Sequence, residues 1–240
     1  MGIKTISYFE SQHFGNNNSI SRGINLNSYL PPLGLTDDEI ILLSGAPSDH
    51  AITVSYLSSA DWRKSFDGDK PRPGIYFEVT GPMIEINQKH RVGVCKTKQG
   101  GLVLYLKDIF FSDSAPKGLG GVMLKRMVRA ASELNFTHIE LLAAGGRLYR
   151  DVPGRPGKRY AGYYTWAKYG FDRDLSVHDL DIAQHFPHHP SGLSKCNKVQ
   201  QILKLKDGHE YWKVVGDAGF MKFTLRSPSS ERVLLSALKI

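Results

Sequence analysis

Residues 102–128, LVLYLKDIFFSDSAPKGLGGVMLKRMV, join a long β-type run to a helix through a cluster of glycines. The run Leu102–Phe111 is rich in β-branched and aromatic residues, as strands are. Lys117-Gly118-Leu119-Gly120-Gly121 then opens a segment in which Met123, Leu124, Met127, Val128, Ala131 and Leu134 recur at helical spacing. That spacing predicts a helix from Gly118 to Phe136 with Lys125, Arg126 and Arg129 on its polar side. HIELLAA (138–144) follows, with the near-continuous apolar character of a strand covered on both faces. Strand, glycine loop, helix and strand form one βαβ unit. The fold class is therefore α/β (α+β), a mixed central sheet with helices on both faces.

Around this unit the chain reads as flanking layers. Residues 1–34 are polar and turn-rich, and predict an arm draped on the domain. Thr36-Asp37-Asp38-Glu39 has the capping-box pattern ahead of Ile40–Leu43, which predicts a short helix ending near Gly45. AITVSYL (51–57), GIYFEVT (74–80) and RVGVC (91–95) predict strands, and 61–74 a hydrophilic loop. Beyond the second strand of the βαβ unit, a Gly/Pro/Arg-rich loop (145–159) leads to a short aromatic helix, Tyr160–Tyr169, stopped by Gly170. The tail predicts a His/Pro loop, a helix around 209–215, a strand at 221–227 and a helix from about 230. The expected organisation is an arm with a short helix (1–45), a core (46–175), and a C-terminal extension packed on that core (176–240), plus no internal repeats.

Composition narrows the class of protein. Of 240 residues, 41% are hydrophobic and 22% charged, which excludes wholesale disorder. No run approaches the ~18 apolar residues of a membrane span, and the first fifteen residues lack a secretory apolar core. A cytoplasmic protein with no membrane partner is expected. Cys95 and Cys196 are too few for a disulfide scaffold and lack zinc spacing, so no metal is expected. The formal net charge of +8 favours anionic partners.

Glycines at a helix N-terminus expose backbone N–H groups, and the helix dipole adds positive potential, so the 117–121 loop suits a diphosphate. A P-loop would need Gly-Lys-Ser/Thr, which is absent. A dinucleotide loop would need a third glycine where Met123 stands. A coenzyme A pyrophosphate loop is the third possibility. On Ala115-Pro116-Lys117-Gly118-Leu119-Gly120, followed by Met123-Leu124, and on Thr165–Phe171 (TWAKYGF), the chain resembles the GNAT superfamily of acyl-CoA-dependent N-acyltransferases. The resemblance is specific over about 102–172 and follows the family's element order from about 50. It departs from the family at Ala115, where Gln or Arg is usual, and at Trp166, where many members carry a catalytic tyrosine.

The resemblance implies transfer of an acyl group, acetyl being favoured, from acyl-CoA to an amine acceptor by direct attack. Backbone groups of Ile109, Phe110 and Phe111, beside a bulge in their strand, would meet the pantetheine arm. Lys117, Gly118, Leu119, Gly120 and Gly121 would hold the pyrophosphate. Asp108 is the candidate base or amine-orienting group, with Glu140 second, and Tyr163 or Tyr164 would replace Trp166 as proton donor. Cys95, inside RVGVC, reads as a buried small hydrophobe.

Residues 147–173 hold seven basic side chains, Arg147, Arg150, Arg155, Lys158, Arg159, Lys168 and Arg173, against Asp151 and Asp172. Interleaved with Tyr149, Tyr160, Tyr163, Tyr164, Trp166, Tyr169 and Phe171, they suit phosphate contacts and base stacking. Arg150, Arg155, Lys158 and Arg159 are the candidate contacts to acceptor or phosphate. The acceptor is thus a small molecule, a protein or a nucleic acid; alternatively the chain is a nucleic-acid-binding protein on the same fold, or an inactive module. His178, His185, His188 and His189 match no zinc pattern and read as a surface loop.

Overall fold

A computed structural model describes residues 3–15, 17–23, 34–58, 69, 72–147, 160–186 and 188–238. It is a mixed α/β structure whose seven strands form one sheet in the order β1-β2-β3-β4-β5-β6-β7. These are Ser19–Arg22, Ala51–Leu57, Gly74–Thr80, His90–Lys96, Leu102–Asp108, His138–Gly146 and Asp217–Thr224. β1 lies parallel to β2, whereas β2–β3, β3–β4 and β4–β5 are antiparallel. By compactness the chain falls into two units, Met1–Glu140 with Leu234–Ile240, and Leu141–Val233.

In the first unit, alternation along β2–β5 separates two faces. Ile52, Val54, Ile75, Phe77, Val79, Val92, Val94, Leu104 and Leu106 are buried on one. α2 (Asp37–Ser44) packs on β3, β4 and on α3 (Leu119–Glu133). Thr36 caps α2 as its sequence predicts: its hydroxyl accepts from Glu39 N–H, and the Glu39 carboxylate accepts from Thr36 N–H at 2.7 Å. Gly45 ends it with φ +70, and a Cβ there would lie 2.7 Å from Met123 Cγ and 2.9 Å from Met127 Sδ. Only glycine both adopts that conformation without strain and lets α3 approach so closely.

The predicted arm proves to contain structure. Residues Ile3–His13 form α1, which packs on α3, and Ser19–Arg22 pair with β2. The consequence falls on the side of α3 expected to be polar. Arg126 is buried there, with Nη1 2.8 Å from Glu10 Oε1 and its guanidinium 4.9 Å from the centroid of the Phe14 ring. Arg129 reaches the same carboxylate oxygen at 3.1 Å. Burial pulls the Arg126 pKa down, and the Glu10 charge opposes that shift.

The second unit holds α4 (Gly162–Lys168), α5 (Val177–His185), α6 (Val199–Leu203), α7 (Gly208–Val215) and strand β7. Phe171 is fully buried, with Trp166 and Phe223 edge-on at 5.4 and 5.5 Å. The His/Pro loop is corrected here: Ser176 and Asp179 form a capping box that starts α5, so His178 and His185 lie on a helix. α8 (Pro228–Ala237) closes the described chain.

Replacing Glu10 with alanine leaves Arg126 buried beside Phe14 with its closest counter-charge gone. Because Arg129 and Lys125 are partly exposed, the expected loss is about 1–2 kcal/mol, read as a lower urea midpoint at unchanged slope. An unchanged midpoint would refute the docking of α1 on α3.

Candidate functional site

β5 carries one residue too many for its partner. Arg91 pairs with Asp108 and Val92 with Leu106, so Lys107 is bulged out of the ladder. The bulge turns Lys107 and Asp108 to the same side of the sheet as Tyr105. Lys107 Nζ lies 2.9 Å from the buried Asp69 carboxylate, to which the Tyr105 hydroxyl also donates. Asp108 Oδ2 accepts from Arg91 Nη1 at 2.9 Å, and its Oδ1 lies 3.4 Å from Lys107 Nζ. Arg91 Nε in turn donates to Glu78 Oε1 at 2.7 Å, and Lys89 donates to Glu78 Oε2 at 2.7 Å. These two cations hold the Glu78 carboxyl below its ordinary range against the opposing effect of burial. Asp108 is thus a fixed, oriented carboxylate with both oxygens engaged.

Glu140, the second candidate base, is buried. Its Oε1 lies 3.1 Å from Arg72 Nη2 and its Oε2 3.0 Å from His138 Nε2. The Arg72 carbonyl accepts from the Tyr76 hydroxyl at 2.7 Å, and the Cys95 thiol lies 3.7 Å from that carbonyl. Burial pushes the Cys95 thiol up to about 11, which keeps it protonated and unreactive, as a small buried hydrophobe should be.

The chain leaves the β5 ladder after Asp108, earlier than the predicted Phe111. Ile109 and Phe110 are half-buried, and Phe111 forms an isolated bridge with Ile84. The glycine loop then enters α3. Gly118 is its N-cap at φ +94, a left-handed geometry that favours glycine. Leu119 N–H donates to Pro116 O, and both Gly121 and Val122 N–H donate to Gly118 O, each at 3.1 Å. These bonds use the amides of Leu119, Gly121 and Val122 and leave out those of Gly118 and Gly120. Lys117 is exposed at the same turn, while the Leu119 side chain is buried. A Cβ on Gly120 would lie 3.0 Å from Phe111 Cε2, so the aromatic ring closes directly on the loop.

Behind that ring lies a residue the sequence reading passed over. His90 stacks edge-on against Phe111 at 4.9 Å, fully buried, with neither ring nitrogen hydrogen-bonded among the described residues. Burial, with a smaller contribution from His50, lowers its pKa to about 3. His50 is also depressed by burial, although its Nδ1 lies 2.7 Å from Ser48 O; its Nε2 accepts from Met83 N–H at 3.2 Å. The signal for His90 was its spacing with Val92 and Val94, which places it on the apolar face.

The tyrosine candidates belong to the second unit. The Tyr163 hydroxyl donates to Lys213 O at 2.5 Å. Tyr164 sits edge-on to His209 at 6.3 Å, and its hydroxyl makes no hydrogen bond among the described residues. Burial raises both phenols, so each stays protonated at neutral pH. Arg150, Arg155, Lys158 and Arg159 lie outside the described residues. Of the other basic side chains in that segment, two are engaged internally. Arg147 Nε donates to Val215 O at 2.8 Å, and Arg173 makes a two-pronged pair with Asp179 at 2.7 and 3.0 Å. Lys168 is exposed. No group of three or more potential metal ligands occurs among the described residues. No helix among them is long and apolar enough to cross a membrane.

In comparison with known proteins, no family model, no curated protein and no solved structure matches this chain.

The His90 imidazole is neutral in the folded protein far below the pH at which it protonates in the unfolded chain. A lowered folded pKa means full stability above about 6.5 and progressive loss as pH falls toward about 3. Between pH 8 and 5, His90 should therefore cost the wild type about 2 kcal/mol that a His90→Leu variant does not lose. Urea titrations at the two pH values measure this difference; parallel losses in the two proteins would refute it.

Proposed function

We propose that this chain is an acyl-CoA-dependent N-acyltransferase of the GNAT type, with acetyl-CoA as favoured donor and an amine as acceptor. The observation that carries the reading is the bulged strand β5 running into a glycine-opened helix. The amides of Gly118 and Gly120 are left out of the helix's own first bonds. A diphosphate fits such a turn because it accepts from backbone N–H groups at the positive end of the helix dipole. Lys117, exposed beside it, adds a mobile cation where the family's Gln or Arg is replaced by Ala115.

Bound acyl-CoA supplies a thioester already activated for attack. The residues of this chain then have three tasks. Gly118–Gly121 with Lys117 hold the phosphates, and the backbone of Ile109–Phe111 orients the acyl arm. Asp108, fixed by Arg91 and Lys107, suits an amine-orienting carboxylate better than a free base, since both its oxygens are engaged.

Calorimetry with acetyl-CoA should show binding by the wild type. Gly120→Val should lose it, because the new side chain meets the Phe111 ring. Unchanged affinity would refute the loop assignment, and failure of the folded wild type to bind would refute the reading as a whole. Thiol release should then be followed with small amines, peptides and RNA as acceptors.

A further inference from the structure

Between the end of β5 and the glycine turn, the chain leans on a four-residue turn, Gly81–Ile84, closed by Ile84 N–H donating to Gly81 O at 3.0 Å. Three ties join the two segments. Ile84 and Phe111 form an antiparallel bridge, Ser112 N–H donates to Met83 O at 3.0 Å, and the Ser112 hydroxyl donates to Pro82 O at 3.4 Å. The Phe111 ring in turn touches the glycine turn, where a Cβ on Gly120 would meet it at 3.0 Å. The seat of that ring therefore depends on where residues 81–84 sit.

The Gly81–Ile84 turn is itself fixed by one side chain. Met83 N–H donates to His50 Nε2 at 3.2 Å, and the His50 ring packs so closely on Gly81 that a Cβ there would lie 2.4 Å from Cδ2. His50 is buried, its Nδ1 lies 2.7 Å from Ser48 O, and its backbone N–H donates to Asn18 Oδ1 at 2.8 Å. A carbonyl only accepts and an amide N–H only donates. The two ring contacts therefore select one form of the imidazole, neutral, with its proton on Nδ1 and a lone pair on Nε2. An imidazolium would set a second N–H against that of Met83. Burial, opposed by the Ser48 carbonyl and by Asp49, lowers the His50 pKa and so favours the same neutral form.

We infer that His50 is a positioning residue for the glycine turn: as a neutral acceptor it holds the Gly81–Ile84 turn, which sets Ser112 and seats Phe111 on Gly120. The ligand of the glycine turn rests on the acyl-CoA reading, whereas the tie from His50 to Phe111 does not, so the two are tested apart. Leucine at position 50 keeps an apolar side chain in the core and leaves the Met83 amide without its partner. Glutamine carries an acceptor at about the reach of Nε2 and takes up no charge.

In the ligand-free protein at neutral pH, nitrogen NMR of the His50 ring should show Nδ1 protonated and Nε2 bare. His50→Leu should shift the Gly118 and Gly120 amide resonances and speed exchange of the Ser112 N–H about tenfold or more, while His50→Gln holds both near the wild type. In calorimetry with acetyl-CoA, His50→Leu should bind about tenfold more weakly and His50→Gln within about threefold of the wild type. Four outcomes would each overturn the inference: a ring protonated on Nε2, undisturbed Ser112 and Gly120 amides in His50→Leu, acetyl-CoA affinity in His50→Leu equal to the wild type, or His50→Gln as impaired as His50→Leu. Should His50→Leu not fold, the ring spectrum and His50→Gln decide. Failure of the wild type to bind acetyl-CoA refutes the acyl-transfer reading alone, and the ligand-free spectra then decide the role of His50.

Discussion

One extra residue in β5 sets the chemistry of the first unit. Without the bulge at Lys107, strict alternation would send Lys107 and Asp108 to opposite faces of the sheet. With it, both share a face. Lys107 neutralises an aspartate that is almost wholly buried, and Asp108 is clamped opposite Arg91. A charged row then runs from Glu78 across β4 to β5, on the side away from the apolar layer. Buried charges survive only when paired and hydrogen-bonded, and each member of this row supplies its neighbour's partner.

The same principle redistributes the positive surplus of the sequence. A net +8 suggests a surface waiting for polyanions, but several of its contributors are spent internally. Arg126 lies beneath α1, Arg147 and Arg173 are tied to their own unit, and Arg91 and Lys107 belong to the charged row. Other cations stay exposed among the described residues, Lys117 at the glycine turn and Lys168 on α4 among them.

How much of this was legible depended on where the determining contacts lie. β2 and β3 match their predicted limits to the residue, and the α2 capping box and its glycine stop are as read, because these signals are local. α1 was read as an arm because its polar residues make sense only against α3: Glu10 needs Arg126, more than a hundred positions away. α5 escaped because Val177 and Leu180 are exposed, so it lacks the apolar stripe that identifies a helix. At the candidate site, the glycine turn was visible in the sequence, and the end of β5 was not, since a bulge leaves no mark in residue type. Glu140 was read as a second candidate base, and its ion pair with Arg72, distant in the chain, was not visible in the sequence. His90 was overlooked because the strand was predicted to begin at Arg91; it begins at His90, and alternation with Val92 and Val94 carries that ring into the core.

Gly45 shows how tightly two parts of the first unit are interlocked. It stops α2, and the absence of its side chain lets the methionines of α3 come within contact distance. Chain reversal and interhelical spacing therefore hang on the same hydrogen atom. No compensating change elsewhere on α2 can restore both, since a residue tolerant of positive φ still brings a Cβ, and a smaller side chain at Met123 still leaves the backbone strained. The position should be invariant among any sequences that share this helix pair, and variation there would mark a chain in which α2 and α3 have moved apart.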